Sequence, residues 1–368
     1  GINGANTTIE FGAVEACILT RGDLSINSVI TGSGGLTKAG AATLTFNTAN
    51  TYTGTTTAGE GTLRCGVSDA IATGAVTIFN ATYDLAGFSD SIGALTMTGG
   101  SITTGAGTLT LGGNVTGVSN LTSASISGNL DLGGATRTFT IANGTPSEDM
   151  VISAAVSSVS GAYGITKAGT GTLVLSGGNT YTGTTTVSAG ILNIQHSSAL
   201  GAVDNGTSVT SGAALQLQGD VAVGLEALTL NGIGASTNTG ALRNITGNTT
   251  WAGAITLGSA TFIACDNDTL TLSGGIAAET FLLTITGVGN VTISGAAGIT
   301  GTTAALTKSG AGTLTISAPG TYTGATSVTA GILNIQNAAA LGTADGGVSV
   351  TGTGGGAQFS TAITNIPT

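Results

Sequence analysis

The chain has 368 residues with a net charge of −10; only 7% are charged and 4% aromatic, while glycine alone contributes 64. No basic run exists to neutralise phosphates, so nucleic acid is a poor partner, and anionic membrane surfaces are disfavoured for the same reason. A mean hydropathy of +0.42 argues against disorder, which needs low hydrophobicity, yet no apolar run approaches the roughly 18 residues of a membrane span.

The chain opens at Gly1 with no initiator Met, charged n-region or apolar h-region, as expected of a processed or excised product. Residues 2–9 are strand-like and uncharged up to Glu10. Arg21-Gly22-Asp23 spells a tripeptide known from integrin ligands, but Gly-Asp is also ordinary turn chemistry. The first strong pattern follows at 36–65, and it returns without insertion at 165–194 and 306–335. Leu36-Thr37-Lys38-Ala39-Gly40 recurs as Ile165-Thr166-Lys167-Ala168-Gly169 and Leu306-Thr307-Lys308-Ser309-Gly310. After each lysine a tyrosine stands at the same offset (Tyr52, Tyr181, Tyr322), then a glycine (Gly54, Gly183, Gly324), another glycine (Gly61, Gly190, Gly331) and a leucine (Leu63, Leu192, Leu333).

Within each copy the period is two: Thr43-Leu44-Thr45-Phe46 and Thr313-Leu314-Thr315-Ile316 put alternate apolar residues on one face. Between strands lies a Gly-, Asn- and Thr-rich corner, where Gly is expected to supply positive φ. Further strands are predicted at 95–97, 108–111, 130–132 and 139–141, then at 215–217, 228–230, 255–257, 270–272 and 291–293. Helical periodicity is absent. Short strands at this spacing suit a sandwich, a barrel or a parallel β-helix. The long-range repetition selects the last, because its corners lengthen without disturbing the wall. One continuous β-solenoid over residues 1–368 is therefore expected. With roughly 20 residues per coil it makes about 18 coils, and at about 4.8 Å per coil a rod on the order of 85 Å.

The run from Gly164 to Val187, with its Ile165-Thr166-Lys167-Ala168-Gly169 opening and Asn179-Thr180-Tyr181-Thr182-Gly183 corner, resembles the autotransporter-associated β-strand repeat. The likeness covers the three segments, about a quarter of the chain. It implies a right-handed parallel β-helix on the surface of a Gram-negative bacterium, in a passenger domain with an adhesive or structural role. The translocator barrel that usually accompanies such passengers is missing from this sequence.

Candidate sites are few. His196 stands alone in Gln195-His196-Ser197-Ser198, without the third group a triad needs, and reads as corner decoration. Asp266-Asn267-Asp268 offers too few of the 6 to 8 oxygen ligands calcium takes. Glu148-Asp149 is the densest acidic spot, but sequence neighbours on a strand point to opposite faces, and Trp251 is the only tryptophan available as a sugar platform. The Asn-x-Thr sequons at Asn6, Asn80, Asn120, Asn248 and Asn290 follow from composition. Cys17, Cys65 and Cys265 form no closed disulfide framework, and Cys65, in the column shared with Ile194 and Ile335, reads as a small apolar residue pointing inward. Lys38, Tyr52, Gly54, Lys167, Tyr181, Gly183, Lys308, Tyr322 and Gly324 are expected to serve corner packing and edge charge, not catalysis. No catalytic residue, metal or cofactor is assigned.

Solenoid ends expose unpaired backbone groups, and no polar cap is visible at Ile2, Ile9, Ile363 or Ile366, the expected assembly ends. The expectation is an extracellular, non-enzymatic structural protein of the bacterial surface that stacks head-to-tail on itself into a fibre. The alternatives are an excised adhesin passenger segment touching a host or neighbouring cell and, third, a polysaccharide-active enzyme.

Overall fold

The computed structural model describes residues 7–203, 205–236, 239–343, 346–351 and 356–359, the last three by backbone alone. It is all-β: among the described residues there is no helix, and successive short strands pair in parallel to build a β-solenoid of about 16 turns. By internal contact the chain divides into two compact units, residues 1–183 and 184–368.

Each strand follows from alternation. Leu36–Ala39 and Leu95–Thr98 bury their first and third residues, Thr43–Phe46 its second and fourth, so one face fills the coil interior while Thr lines the outside. Glycines between strands let the chain turn every few residues.

In the first unit one wall stacks Ala16–Leu19, Leu36–Ala39, Thr56–Ala58, Val76–Phe79, Leu95–Thr98 and Val115–Gly117. A second wall stacks Leu24–Ile26, Thr43–Phe46, Thr62–Cys65 and Thr82–Asp84 onto the long strands Ser101–Leu111 and Ala124–Asp131. Its register aligns Leu44, Leu63, Tyr83, Ile102 and Ile126 in one inward column, all fully buried. Each such aliphatic side chain contributes about 1.5–3 kcal/mol.

In the second unit one wall runs through Gly190–Ile194, Ala213–Gln218, Leu242–Thr246 and the last third of Ile255–Cys265 to Leu282–Thr286, Ala305–Lys308 and Thr326–Val328. Another runs from Ala222–Val223 through Thr249–Trp251, Thr269–Leu272, Asn290–Ile293 and Thr313–Ile316 to Ile332–Ile335.

Coil length is not constant. Thr315 lies beside Asn334, 19 residues on, whereas Arg137 lies beside Ile165, 28 residues on. The longer coils spend their extra residues in corners, and this brings the count below the 18 expected from a uniform period.

The register also shows what the 30-residue pattern is. In the first copy Leu36–Lys38 pairs with Thr56–Ala58, and Thr43–Phe46 with Thr62–Cys65. The third copy repeats both pairings, Leu306–Lys308 on Thr326–Val328 and Thr313–Ile316 on Ile332–Ile335. Each of these copies is thus a coil and a half, and its two halves stack on each other.

Candidate functional site

The repeated lysines are not edge charges. Lys38, Lys167 and Lys308 are buried at 0, 0 and 2% exposure. Each follows an inward aliphatic residue by two, so strand parity turns it into the core at the corner where the wall ends. There the carbonyls of the turning chain point inward and need a donor. Lys308 Nζ donates to Ser309 O (3.0 Å), Gly310 O (2.7 Å) and, on the next coil, Ala330 O (3.4 Å). Lys38 repeats this with Ala39 O, Gly40 O and Glu60 O (2.8 Å), and also reaches Thr20 Oγ1 (2.9 Å) on the preceding coil. Lys167 donates to Ala168 O (3.0 Å) and Gly169 O (2.9 Å). Burial brings Lys308 down to about 8, and Lys167 to about 8 against the opposing Asp149 carboxylate. Burial lowers Lys38 as well, opposed by Glu60.

The tyrosines close the same corner. Tyr52, Tyr181 and Tyr322 are buried, and the first and third pair their hydroxyls with Thr56 and Thr326 at 2.6 Å. Burial pushes Tyr52 and Tyr322 up to about 12. Gly54, Gly183 and Gly324 serve space rather than positive φ. A Cβ on Gly324 would run into the Ala304 carbonyl of the coil below, and one on Gly54 into the Gly34–Gly35 peptide. A buried asparagine adds to the first copy: Ile30 N donates to Asn50 Oδ1 (2.7 Å), and Asn50 Nδ2 to Ala70 O (2.6 Å). In the second copy Asn179 Oδ1 takes Val156 N (2.8 Å).

Two of the acidic candidates, Asp149 and Asp268, do the same task in mirror image, as acceptors for corner N–H groups. Asp149 accepts from Gly144 N (2.5 Å) and Thr172 N (2.7 Å), while Glu148 accepts from Ser123 through its carbonyl. Asp268 accepts from Gly247 N (2.8 Å), Asp266 pairs with Arg243 (2.6 Å), and Asn267 Nδ2 donates to Ile245 O (3.0 Å). Among the described residues no group of three or more His, Cys, Asp or Glu side chains could hold a metal ion. Arg21, Gly22 and Asp23 are all exposed at a corner, with Asp23 taking Thr43 N (2.9 Å). His196 is exposed, and its Nδ1 accepts from Ser198 N (3.0 Å). Trp251 is fully buried and donates to Glu226 O (3.0 Å), so it offers no sugar platform.

Of the cysteines, Cys65 is buried, as its inward column position predicts, Cys265 is buried too, and Cys17 is exposed; all three are free. Sequence reasoning missed the cluster around Cys65. Asp90, 1% exposed, accepts from Tyr83 Oη (2.7 Å) and Ile71 N (3.1 Å), with Cys65 Sγ at 3.6 Å. Burial pushes the Asp90 carboxyl and the Cys65 and Tyr83 groups upward. Its parity with Ile92 was the available signal. Also unforeseen is Arg137, whose guanidinium donates to Leu132 O, Gly112 O and Leu111 O at 2.5–3.1 Å.

Of the expected assembly ends, Ile9 lies in Thr8–Glu10, which pairs with Val29–Thr31. Ile2, Ile363 and Ile366 lie outside the described residues, as does Asn6. No helix among the described residues is long and apolar enough to cross a membrane.

Parallel coils whose corners are closed by buried lysines define a β-solenoid assembled around a recurring clamp. Residues 36–64, 165–194 and 306–335 match the passenger-associated-transport-repeat family. A curated relative, the adhesin BmaC autotransporter of Brucella suis biovar 1 (strain 1330), is 36% identical over 144 residues. That stretch is 39% of this chain and 4% of the relative, so the chain spans a small part of its length. No solved structure matches the chain. The matches support a surface β-solenoid and imply a secreted or cell-surface location.

Proposed function

We propose that the chain is a non-enzymatic adhesive segment of a bacterial surface passenger, presenting its coil corners to host or neighbouring cells. The observation that carries this reading is the engagement of its chemistry-bearing side chains. The buried lysines, Asp90, Asp131 and Asp149 are each held by backbone groups that a reacting centre would have to surrender. The similarity to an adhesin supports it. Beads coated with the purified chain should adhere to epithelial monolayers several times more than albumin-coated beads. Equal adherence would overturn the reading.

Head-to-tail stacking into a fibre is a second proposal. It is favoured by the parallel, in-register stacking of coil on coil along the walls, a pairing that a second copy of the chain could continue. Electron microscopy at rising concentration should show fibres of uniform width; single particles at every concentration would remove it.

A further inference from the structure

One corner of the first unit is built unlike the others. Asn80 and Asn120 stand two coils apart, yet Asn120 Nδ2 donates to Asn80 Oδ1 at 2.8 Å. They meet because the intervening coil passes as Gly99-Gly100, both at positive φ (63° and 73°). A Cβ on Gly99 would fall among Asn80 Oδ1, Asn120 Nδ2 and Thr122 Oγ1. Thr122 Oγ1 completes the triangle, at 3.2 Å from Asn120 Nδ2 and 3.4 Å from Asn80 Oδ1. Asn80 itself sits at φ 50°, a left-handed conformation that Asn tolerates better than most residues.

Beside this amide pair opens a cleft of about 480 Å³ lined by Asn80, Gly100, Asn120, Leu121, Thr122 and Ser123. That volume falls within the range of small-molecule sites, roughly 300–1,000 Å³. Its lining carries no charge. Leu121 in its lining is 79% exposed, and Phe79, the residue before Asn80 in sequence, is 52% exposed. Val118, 43% exposed, lies two coils from Phe79 with Thr98 between them. The backbone around the cleft is already engaged, Asn80 N on Thr98 O (3.0 Å) and Val118 N on Met97 O (2.8 Å), so no strand edge is offered to a peptide.

We propose that this cleft is a binding subsite for a neutral saccharide, a ligand class that deepens the adhesive reading and rests on it. Among the described residues nothing takes the Asn80 Nδ2 donor or the Asn120 Oδ1 acceptor. The internal amide bond fixes both in direction. The free amide donor of Asn80 and the free carbonyl acceptor of Asn120 are groups that sugar hydroxyls satisfy, since each hydroxyl both donates and accepts. The exposed Leu121 and Phe79 supply the apolar surface on which the C–H face of a pyranose ring packs. Uncharged walls in a chain of net charge −10 select against acidic glycans and phosphates.

The test uses the whole chain with immobilised yeast mannan, galactan and dextran, and heparin as the anionic control. Binding to at least one neutral polymer, competed by its own monosaccharide and absent on heparin, is expected. Leu121→Ala and Phe79→Ala remove exposed side chains and should leave the circular dichroism spectrum unchanged while weakening binding about tenfold each. Asn120→Asp should weaken it by at least as much. No binding to any of the three polymers overturns the proposal, as does binding that all three variants retain. The bead assay separates the two readings. Beads that adhere to cells equally well with wild-type and cleft variants, with no cleft-dependent polymer binding, keep the adhesive role and refute the saccharide site. Polymer binding that depends on the cleft, with beads that do not adhere, does the reverse.

Discussion

Replacing Lys308 by Met tests the corner clamp, because its two consequences depend differently on pH. The side chain donates to Ser309 O at 3.0 Å and Gly310 O at 2.7 Å, with Ala330 O at 3.4 Å. Orphaning two buried carbonyls costs about 1–3 kcal/mol each, some 2–6 kcal/mol together. Against this stands the burial of the ammonium. A folded-state pKa of about 8 against 10.5 for free lysine corresponds to a penalty of about 3 kcal/mol at neutral pH. The two nearly cancel at pH 7, so Lys308→Met is expected to destabilise by only about 1–2 kcal/mol there. Between pH 8 and 10.5 the folded wild type holds fewer protons than the unfolded chain, so its stability rises with pH. The variant has no such term. From pH 8 to pH 9.5 the gap should therefore widen by about 2 kcal/mol. Urea titrations followed by fluorescence of Trp251, the single tryptophan and a buried residue of the same unit, measure it directly. Parallel stability curves across that range would refute the claim that this corner holds a buried, charged lysine.

Four further variants have expected outcomes. Tyr322→Phe leaves the buried Thr326 hydroxyl without its 2.6 Å partner and should cost about 1–2 kcal/mol; on a Thr326→Val background the same change should cost far less, read from a double-mutant cycle. Gly324→Asn should destabilise by about 1–3 kcal/mol, because any Cβ there meets the Ala304 backbone. Gly212→Asn, at φ +84° with open space around it, should cost less than about 1 kcal/mol by the same urea assay. Asp90 has a raised folded-state pKa, so the stability it contributes is complete below the unfolded value of 3.8 and is lost as pH rises through the folded value. Asp90→Asn should therefore gain on the wild type between pH 4 and pH 7, and a constant difference would argue against a buried carboxylate.

Strand parity and the three 30-residue segments made the solenoid legible, since both depend only on spacing along the chain. The coil count was less so. Corner length has no periodic signature, and the 28-residue coil ending at Ile165 looks in sequence like any other Gly-rich stretch. The lysines show a different failure. Lys38 shares parity with Leu36 and Lys308 with Leu306, which places both inside, but charge alone suggested an edge. Parity is the stronger rule here because the corner itself supplies the acceptors. Asp90 beside Ile92 and Arg137 beside Phe139 obey it too. The glycine after each tyrosine was misassigned in mechanism, because a demand for space comes from the neighbouring coil and leaves no trace in local sequence. The Asn80–Asn120 pair lay beyond reach for a related reason: it spans two coils, and its meaning depends on the glycines of the coil between.

Because the first and third clamps each stack on themselves, neither depends on how many coils separate it from another. The lysines stand 129 and 141 residues apart, and the difference leaves the clamp's internal spacing untouched. Such a chain can gain or lose whole coils between fixed fasteners, as a ladder is lengthened between its braces. The number of coils becomes a quantity that duplication can adjust without redesigning any joint, and a feature carried on one corner keeps its own coil unchanged.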